Sequence, residues 1–345
     1  MPKLSFGIFD HIERRSDEPL HDTYEKRLKM LELADRAGFH GYHLAEHHAT
    51  PLSMAPSPGI FLSALAQRTQ RLRFGPLVYL LPLYNPLRLA TEICMLDQLS
   101  NGRLEIGVGR GISPFELSYF HVPFTESFEI FEESLDLIVQ LLRGKRVSHQ
   151  GRYYQVREFP MELHPKQLPN PPFWYGTSSP DRAAYAARRG MNIVALGPAP
   201  AIKAAVDRFR ETWSQHRDDD LRLNRNVETP WAGAGRHMYV AETDAKAMEE
   251  ARPAYHTFYD NIQKLWRDFG TVVYYFTSDV EVACKAGAAL VGSPATVREQ
   301  IERLVDQSGI NYLAPAIAWG GLSHEQSMRS LKLFVDEVMP HFKQS

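Results

Sequence analysis

Residues 97–111, which read DQLSNGRLEIGVGRG, contain the sequence pattern of one repeating unit of the fold. The Asn101-Gly102 pair is a strong turn signal that ends the helix before it. The apolar run Leu104–Val108 predicts a short strand buried on both faces, and the glycines that follow predict a tight loop into the next helix. A helix, a turn, a buried strand and a glycine-rich loop in this order are typical of a parallel α/β fold.

The same alternation of short apolar runs and amphipathic helices extends over the rest of the chain. Eight repeats suit a closed (β/α)₈ barrel, although an open doubly wound sheet has similar local patterns. No linker divides the chain, so we expect a single domain over residues 1–345. The predicted strands are Leu4–Phe9, Gly41–Leu44, Leu72–Leu81, Leu104–Val108, Phe173–Tyr175, Asn192–Leu196, His237–Val240 and Tyr312–Ala318.

Two stretches interrupt this alternation. Residues 146–172 contain a predicted hairpin, Arg146–Phe159, followed by a proline-rich connector. Residues 266–290 contain a β-rich run and a segment of small residues, and they lie between the seventh and eighth predicted strands. Long insertions after barrel strands commonly form lids or binding loops. We therefore expect residues 266–290 to be a mobile lid over the barrel mouth.

Composition and charge argue against several classes of protein. A net charge of −2 provides no electrostatic attraction to nucleic acid or to anionic lipid. No apolar run approaches the ~18 residues that a membrane helix requires, and the first residues lack the pattern of a signal peptide. Two cysteines, Cys94 and Cys284, are too few for a disulfide framework. The expectation is a cytoplasmic protein that binds neither nucleic acid nor membrane.

Glu46, His47 and His48 directly follow the second predicted strand. Barrel enzymes carry their chemistry at this end of the strands, and a histidine there can act as general acid or base near neutral pH. The alternative is a polar strand end with solvated histidines. A metal site is disfavoured, because adjacent residues of an extended strand point to opposite faces and no further ligand stands at suitable spacing.

The loop after the fourth predicted strand has the residue types that bind phosphate. Arg110 lies between Gly109 and Gly111. Glycine lets the backbone approach a ligand closely, and arginine can bind phosphate through two hydrogen bonds. Ile112 stands where a dinucleotide fingerprint would need a third glycine, which disfavours a Rossmann site. The alternative is a tight turn with a surface arginine.

A second candidate phosphate loop is residues 175–181, which read YGTSSPD. They close the fifth predicted strand and open a helix, with Pro180 as its first residue. Exposed amides at a helix N-terminus, beside the hydroxyls of Ser178 and Ser179, can bind a phosphate group. The alternative is that Ser179 only caps the helix.

Taken in this order, these clusters resemble the bacterial luciferase-like family of flavin-dependent monooxygenases. The matching stretches are residues 38–48, 74–82, 97–111, 176–190 and 292–342, so the resemblance covers nearly the whole chain. It implies a (β/α)₈ TIM barrel that uses reduced FMN and dioxygen to oxygenate a small organic substrate. Luciferase itself has a cysteine where this chain has Gly109, so light emission is not expected.

The resemblance also assigns roles to individual residues. It implies that His47 is the catalytic histidine. It places a non-proline cis peptide at Leu77-Val78, where the isoalloxazine ring of the flavin would pack, and phosphate ligands at Arg110 and the Ser178-Ser179 loop. Arg182 lies within reach of that loop and can assist. The residues expected to bind the cofactor are Leu77, Val78, Arg110, Ser178, Ser179 and Arg182.

The expected partners are a separate flavin reductase, since no nicotinamide fingerprint is present, and a second copy of the chain. Relatives on this fold commonly pair through helices on one side of the barrel. Residues 58–66 are apolar nearly all round and residues 87–99 have few charges, which indicates a second buried face and predicts a homodimer. The alternative is that other parts of the same chain cover these helices.

Other functions remain open at this point. Some relatives on the same fold use a deazaflavin for hydride transfer, which the sequence separates only weakly from FMN chemistry. A non-catalytic flavin-binding protein would need the phosphate loop but not His47. A metal-dependent barrel hydrolase is the least favoured alternative.

Overall fold

The computed structural model describes residues 4–220, 222–225, 227–273 and 277–343. Its strands are β1 (Ser5–Asp10), β2 (Gly41–Leu44), β3 (Arg73–Pro76), β4 (Tyr79–Leu80), β5 (Ile106–Gly109), β6 (Arg146–Gln150), β7 (Gln155–Pro160), β8 (Phe173–Gly176), β9 (Asn192–Ala195), β10 (Ala232–Val240), β11 (Ala289–Gly292) and β12 (Tyr312–Ala316).

Helices alternate with these strands along the chain. They are α1 (Leu20–Ala37), α2 (Pro58–Arg68), α3 (Pro86–Leu99), α4 (Pro114–Tyr119), α5 (Ser127–Arg143), α6 (Pro180–Arg188), α7 (Ala199–Gln215), α8 (Asp244–Asp268), α9 (Val280–Lys285), α10 (Pro294–Ser308), α11 (His324–Leu333) and α12 (Met339–Lys343). A π-helical turn, Phe334–Val338, joins the last two. Within the described residues, no helix combines the length and the hydropathy needed to cross a membrane.

The parallel sheet closes on itself into a barrel. Its strand order is β3-β2-β1-β12-β10-β9-β8-β5-β4, and both ends of this path belong to one stretch of chain, because β3 and β4 are separated by two residues only. β3 pairs with β2 on one side, and β4 pairs with β5 on the other. The (β/α)₈ class of fold is thereby confirmed, with the third predicted strand divided into two short ladders.

Bulky side chains fill the interior of the barrel. A Cβ atom on Gly7 would lie 1.9 Å from the Tyr312 hydroxyl, so this glycine makes room for an aromatic ring on the barrel axis. The rings of Trp174 and Tyr312 pack with centroids 5.0 Å apart, and both residues are fully buried. Because the interior is packed, ligands are accommodated where the strands end, as in other barrels of this kind.

Two elements differ from the sequence-based expectation. β10 begins at Ala232 rather than at the predicted His237. The sequence does not show this earlier start because glycines, among them Gly233, which lies against Tyr312, interrupt the apolar pattern of the strand. β11 was not predicted at all; it is four residues long and pairs with the outer end of β10. A run this short cannot be told from a loop by its periodicity.

The interruptions in the helix–strand alternation have distinct structures. β6 and β7 form an antiparallel hairpin, and residues 161–172 are irregular. Residues 266–290 are not one irregular loop, since they begin inside α8, include α9 and end in β11. Residues 274–276, part of the β-rich run, lie outside the described residues. The sequence analysis did not recognise α8, a helix of 25 residues.

Candidate active site

A cavity of about 970 Å³ lies at the carboxyl ends of the barrel strands. Segments that follow β1, β2, β3, β5, β8 and β9 line it, together with residues of β10 and α8. It brings together every site residue expected from the sequence, although these residues are spread over more than a hundred positions. The expected residues that line it are His47, Leu77, Val78, Arg110, Ser178, Ser179 and Arg182.

His47 is held by a carboxylate from another loop. Its Nδ1 donates to Oε1 of Glu116 at 3.0 Å, and Oε2 of the same carboxylate accepts from the backbone amide of His48 at 3.1 Å. This bond fixes the orientation of the imidazole ring. It leaves Nε2 of His47 without a partner among the described residues, and this nitrogen belongs to a side chain that lines the cavity.

The same carboxylate controls the charge of His47. Burial acts to lower the pKa of His47, but the charge of Glu116, its hydrogen bond and the more distant Glu46 outweigh burial, so the pKa is raised above its usual value. A histidine with a raised pKa holds a proton more readily near neutral pH. His47 is therefore arranged to hold or deliver a proton at Nε2.

His48 has a different environment. Its Nε2 donates to Oε1 of Glu46 at 2.8 Å, and it is not among the residues that line the cavity. Glu46 is almost fully buried and also accepts hydrogen bonds from the Leu80 amide and the Tyr84 hydroxyl. His48 and Glu46 thus connect the loop after β2 to the segment that follows the cis peptide.

Glu116 was not predicted from the sequence, although a signal for it exists. Ser113 caps α4, and the spacing Ser113-x-x-Glu116 matches a capping box. In a capping box, the glutamate side chain turns back to the cap. Here the Glu116 carboxylate instead accepts hydrogen bonds from the ring of His47 and from the backbone amide of His48, and only the folded chain shows this.

Arg110 and Arg182 are cations without acidic partners. Arg110 donates to the Ser127 hydroxyl at 3.1 Å and lies over the Phe124 ring, 4.6 Å from its centroid. Arg182 lies over the Phe128 ring at 3.6 Å. Neither guanidinium forms an ion pair with any described residue. Both are therefore able to bind an anionic group near the start of α5.

The loop after β8 provides polar groups beside them. Ser179 is at the N-cap of α6, but its side chain makes no capping hydrogen bond, so its hydroxyl and the first amides of the helix are available. Ser178 donates its hydroxyl proton to the carbonyl of Leu196 and accepts from the Leu196 amide at 3.0 Å. Ser178 therefore braces this loop against the end of β9, and Ser179 is the better anion ligand of the two.

Glycines leave a shallow apolar cradle around Val78. The Leu77–Val78 peptide is cis, as the resemblance implies. A Cβ atom on Gly109 would lie 2.6 Å from a methyl group of Val78, and one on Gly176 would lie 3.7 Å from the other methyl group. A cysteine at position 109, as in luciferase, would therefore require Val78 to shift. A flat ring can rest on this surface because neither glycine has a side chain to obstruct it.

The cavity also contains polar residues that sequence reasoning missed. His11 follows β1, and its ring centroid lies 5.6 Å from that of His47. Burial first, and then the charges of His47 and His237, hold the pKa of His11 well below its usual value. Arg236 and His237 come from β10. His11 lay at the end of a predicted strand, which was a usable signal; Arg236 precedes the predicted start of its strand.

In the part of the chain that the structure describes, no group of three or more histidine, cysteine, aspartate or glutamate side chains is placed to hold a metal ion. The residues that converge on the cavity are of another kind. They comprise an imidazole paired with a carboxylate, two arginines without acidic partners and an apolar cradle. This combination suits an anionic cofactor with a flat ring rather than an ion.

Known proteins share both the sequence and the fold of this chain. The family model described as luciferase-like monooxygenase matches residues 4–312. The oxygenase component of a flavin-dependent trigonelline monooxygenase from Acinetobacter baylyi is 28% identical over 363 aligned residues, which cover 99% of this chain and 96% of that protein.

Two solved structures have closely similar folds. The crystal structure of monooxygenase RslO1 from Streptomyces bottropensis has a TM-score of 0.86 and 26% identity, covering 98% of this chain and all of that one. The oxygenating constituent of 3,6-diketocamphane monooxygenase from Pseudomonas putida, solved with FMN, has a TM-score of 0.81 and 23% identity, covering 99% of each chain. The chain belongs to the luciferase-like monooxygenase family.

Proposed function

We propose that this enzyme is the oxygenase component of a two-component monooxygenase. It would bind reduced FMN supplied by a separate reductase and oxygenate a small organic substrate with dioxygen. The observation that supports this best is one cavity that contains the His47–Glu116 pair, two unpaired arginines and the cradle at Val78. The trigonelline relative is named an oxygenase component, and the P. putida neighbour was solved with FMN.

Each part of the cavity has a role in this proposal. Arg110, Arg182 and the Ser179 end of α6 bind the phosphate of FMN, because a dianion offers them charge-assisted hydrogen bonds. The cis segment at Val78 supports the ring. When bound, the reduced flavin supplies the reaction with dioxygen. Nε2 of His47 transfers a proton to or from the reacting groups, and closure of the cavity over the ligands would exclude water.

A titration followed by visible absorbance and by flavin fluorescence tests the proposed function. The protein should bind oxidised FMN in air, and it should bind photoreduced FMN under anaerobic conditions, where no dioxygen reoxidises it. Addition of NADH alone should not reduce bound FMN, since the partner reductase is absent. If the protein binds neither form of FMN, the proposal is wrong. If it binds only a deazaflavin cofactor, a hydride-transfer enzyme on the same fold is the correct assignment.

The pH dependence of His47 provides a first prediction. Replacing Glu116 by glutamine removes a charge that raises the pKa of His47, so that pKa should fall and the imidazole should lose its proton at lower pH. The titration can be followed by NMR of the ring protons, assigned by their absence in His47→Gln. Glu92→Gln is the matched control, because Glu92 bonds Tyr79 outside the cavity. An unchanged or higher pKa in Glu116→Gln would contradict the pairing.

We also propose a homodimer through α2 and α3. Ile60, Met95 and Leu99 are large apolar residues on these helices and are 77%, 55% and 52% exposed in the single chain. A contact between two copies would bury them. Phe61, which the sequence suggests as an interface residue, is instead 7% exposed and packs in the core against Tyr42.

The dimer gives a second prediction. Light scattering at micromolar concentration should report twice the mass of the chain, and Ile60→Glu should reduce it to that of a monomer, because a carboxylate in an apolar contact is costly. Val282→Glu is the control, since Val282 is 50% exposed on α9, which packs against α8 and β11 on another part of the barrel. A monomeric mass for the unmodified protein would refute the dimer.

The candidate lid, residues 266–290, remains a proposal. Trp266 and the α9 residues Val282 and Ala283 line the cavity, and Gly270 and Gly287 have positive φ angles of 72° and 67°, which suits hinges. Phe269 stacks on Phe115 of α4, with centroids 4.2 Å apart. This places the segment against the helix that carries Glu116.

Limited proteolysis tests the lid. Trypsin should cut after Lys285, an exposed residue of α9, more slowly when FMN is bound and more slowly still with substrate. Cleavage after Arg157 in the β6–β7 hairpin is the internal control, and its rate should not change. Equal rates at Lys285 with and without ligand would argue against closure.

We further propose that the protein is cytoplasmic. Cys94 is buried, Cys284 is half-buried, and both are free. Unpaired cysteines are usual in a reducing compartment.

A further inference from the structure

Arg236 is a buried cation that has no anion. It is 2% exposed and lines the cavity. Its Nη1 donates to the carbonyl of Gly235 at 2.7 Å and its Nη2 to the carbonyl of Gly197 at 2.8 Å, while Nε has no partner. No described carboxylate forms an ion pair with it.

Three of the described arginines are buried, and they differ in their partners. Arg27, 9% exposed, pairs with Asp10 at 3.2 Å, whereas Arg222, 4% exposed, forms no ion pair with a described residue and lies over the Trp213 ring, outside the cavity. A buried charge is costly unless it is paired, and two carbonyl dipoles compensate it only in part. Of these three arginines, Arg236 is the one that lines the cavity, where a ligand can supply the missing partner.

Arg236 is well suited to bind a carboxylate. A guanidinium has five N–H donors in a planar fork, and the two bonds to carbonyls leave Nε and further Nη protons free. A carboxylate accepts two such bonds side by side. The nearby walls are apolar, with Phe258, Ala283 and Ala288 lining the same cavity. This combination selects a molecule with an apolar body and one anionic group.

Arg236 occupies a different place from the candidate phosphate ligands. Arg110 and Arg182 stack on Phe124 and Phe128, at the beginning of α5. Arg236 instead bonds the loop after β9, and it acts electrostatically on Tyr255 of α8. Arg236 therefore contacts different elements from Arg110 and Arg182, and we infer that the FMN phosphate is bound by those two arginines rather than by Arg236.

We propose that Arg236 is a specificity-determining residue and that the substrate is a small organic acid whose carboxylate binds this guanidinium. The inference rests on the proposed function and extends it by naming the substrate class. The apolar body of the substrate would lie along the wall formed by His11, Phe258 and His237. The ring centroid of Phe258 lies 6.4 Å from that of His11 and 4.0 Å from that of His237.

Calorimetry with matched acids and amides tests this inference. The probes are benzoate with benzamide, and cyclohexanecarboxylate with cyclohexanecarboxamide, at neutral pH and with or without FMN. The unmodified protein should bind the acids roughly 10- to 100-fold more tightly than the amides, as expected for a hydrogen-bonded charge. Arg236→Met, similar in length but uncharged, should lose this preference and keep its affinity for the amides.

Arg110→Ala provides the matched control. It should weaken FMN binding and retain the preference for acids. Arg236→Met should retain FMN binding and lose the preference for acids. If Arg236→Met does not fold, Arg236→Lys replaces it; a lysine keeps the charge without the planar fork, so the preference should shrink but persist.

Three outcomes would overturn the inference. The first is equal affinity for acids and amides in the unmodified protein, and the second is an unchanged preference for acids in the Arg236 variant. The third is loss of FMN binding in that variant, which would assign Arg236 to the flavin. A preference for acids in a protein that does not bind FMN would refute the proposed function and leave the anion site standing.

Discussion

Replacing His47 by alanine is expected to leave FMN binding intact and to reduce oxygenation of substrate by about 10²–10⁴-fold, the usual contribution of a general acid or base. The physical reason is local. Glu116 holds Nδ1 of His47, raises its pKa and leaves Nε2 as the group that can exchange a proton in the cavity. The measurement is incorporation of ¹⁸O from ¹⁸O₂ into product, with photoreduced FMN and a substrate found among small organic acids.

His48→Ala is the matched control for this experiment. His48 neighbours His47 in the chain, but its ring bonds Glu46 and does not line the cavity. Its loss should therefore have a much smaller effect on turnover. If His48→Ala abolishes oxygenation and His47→Ala does not, the assignment of the acid–base group is wrong.

Replacing Arg110 by alanine is expected to weaken FMN binding by about 1.5–3 kcal/mol, or roughly 10- to 100-fold, because charge-assisted hydrogen bonds to phosphate are lost. The free energy of unfolding of the apoprotein should change little. Arg110 has no acidic partner in the described chain, and its contacts are one hydrogen bond to Ser127 and the ring of Phe124. Flavin fluorescence provides the affinity, and a thermal melt provides the stability.

Arg208→Ala is the control for Arg110. Arg208 is an exposed residue of α7 that pairs with Glu211, away from the cavity. It should leave both FMN affinity and melting temperature unchanged. A folded Arg110→Ala protein with undiminished affinity for FMN would remove Arg110 from the phosphate site.

Several features of the candidate site were accessible from the sequence because they depend on local residue types. The Asn101-Gly102 turn, the loop glycines and Arg110 lie within fifteen consecutive residues, and the structure places Arg110 on the cavity as expected. His47 follows β2 directly, so the barrel topology alone positions it at the mouth. Motifs of this kind are predictable because strand ends of a parallel barrel meet on one face.

Contacts between distant segments were not accessible in this way. The difference between His47 and His48 depends on Glu116, which is 69 residues further along the chain. The sequence predicts Ser178 as a phosphate ligand, and only the folded chain shows that its hydroxyl proton goes to the carbonyl of Leu196. Arg236 reads as an ordinary charged residue in the sequence, and only its burial without a carboxylate makes it notable.

The sequence by itself determined the alternation of strands and helices, the glycine-rich loops and the residue types at the strand ends, because turn chemistry and hydrophobic periodicity act over a few residues. Tertiary structure alone decided which carboxylate holds His47, which side of α2 is buried and which arginine is buried at the cavity without a carboxylate. These properties depend on burial and on partners brought together by closure of the barrel, and burial sets the energetic cost of every unpaired charge.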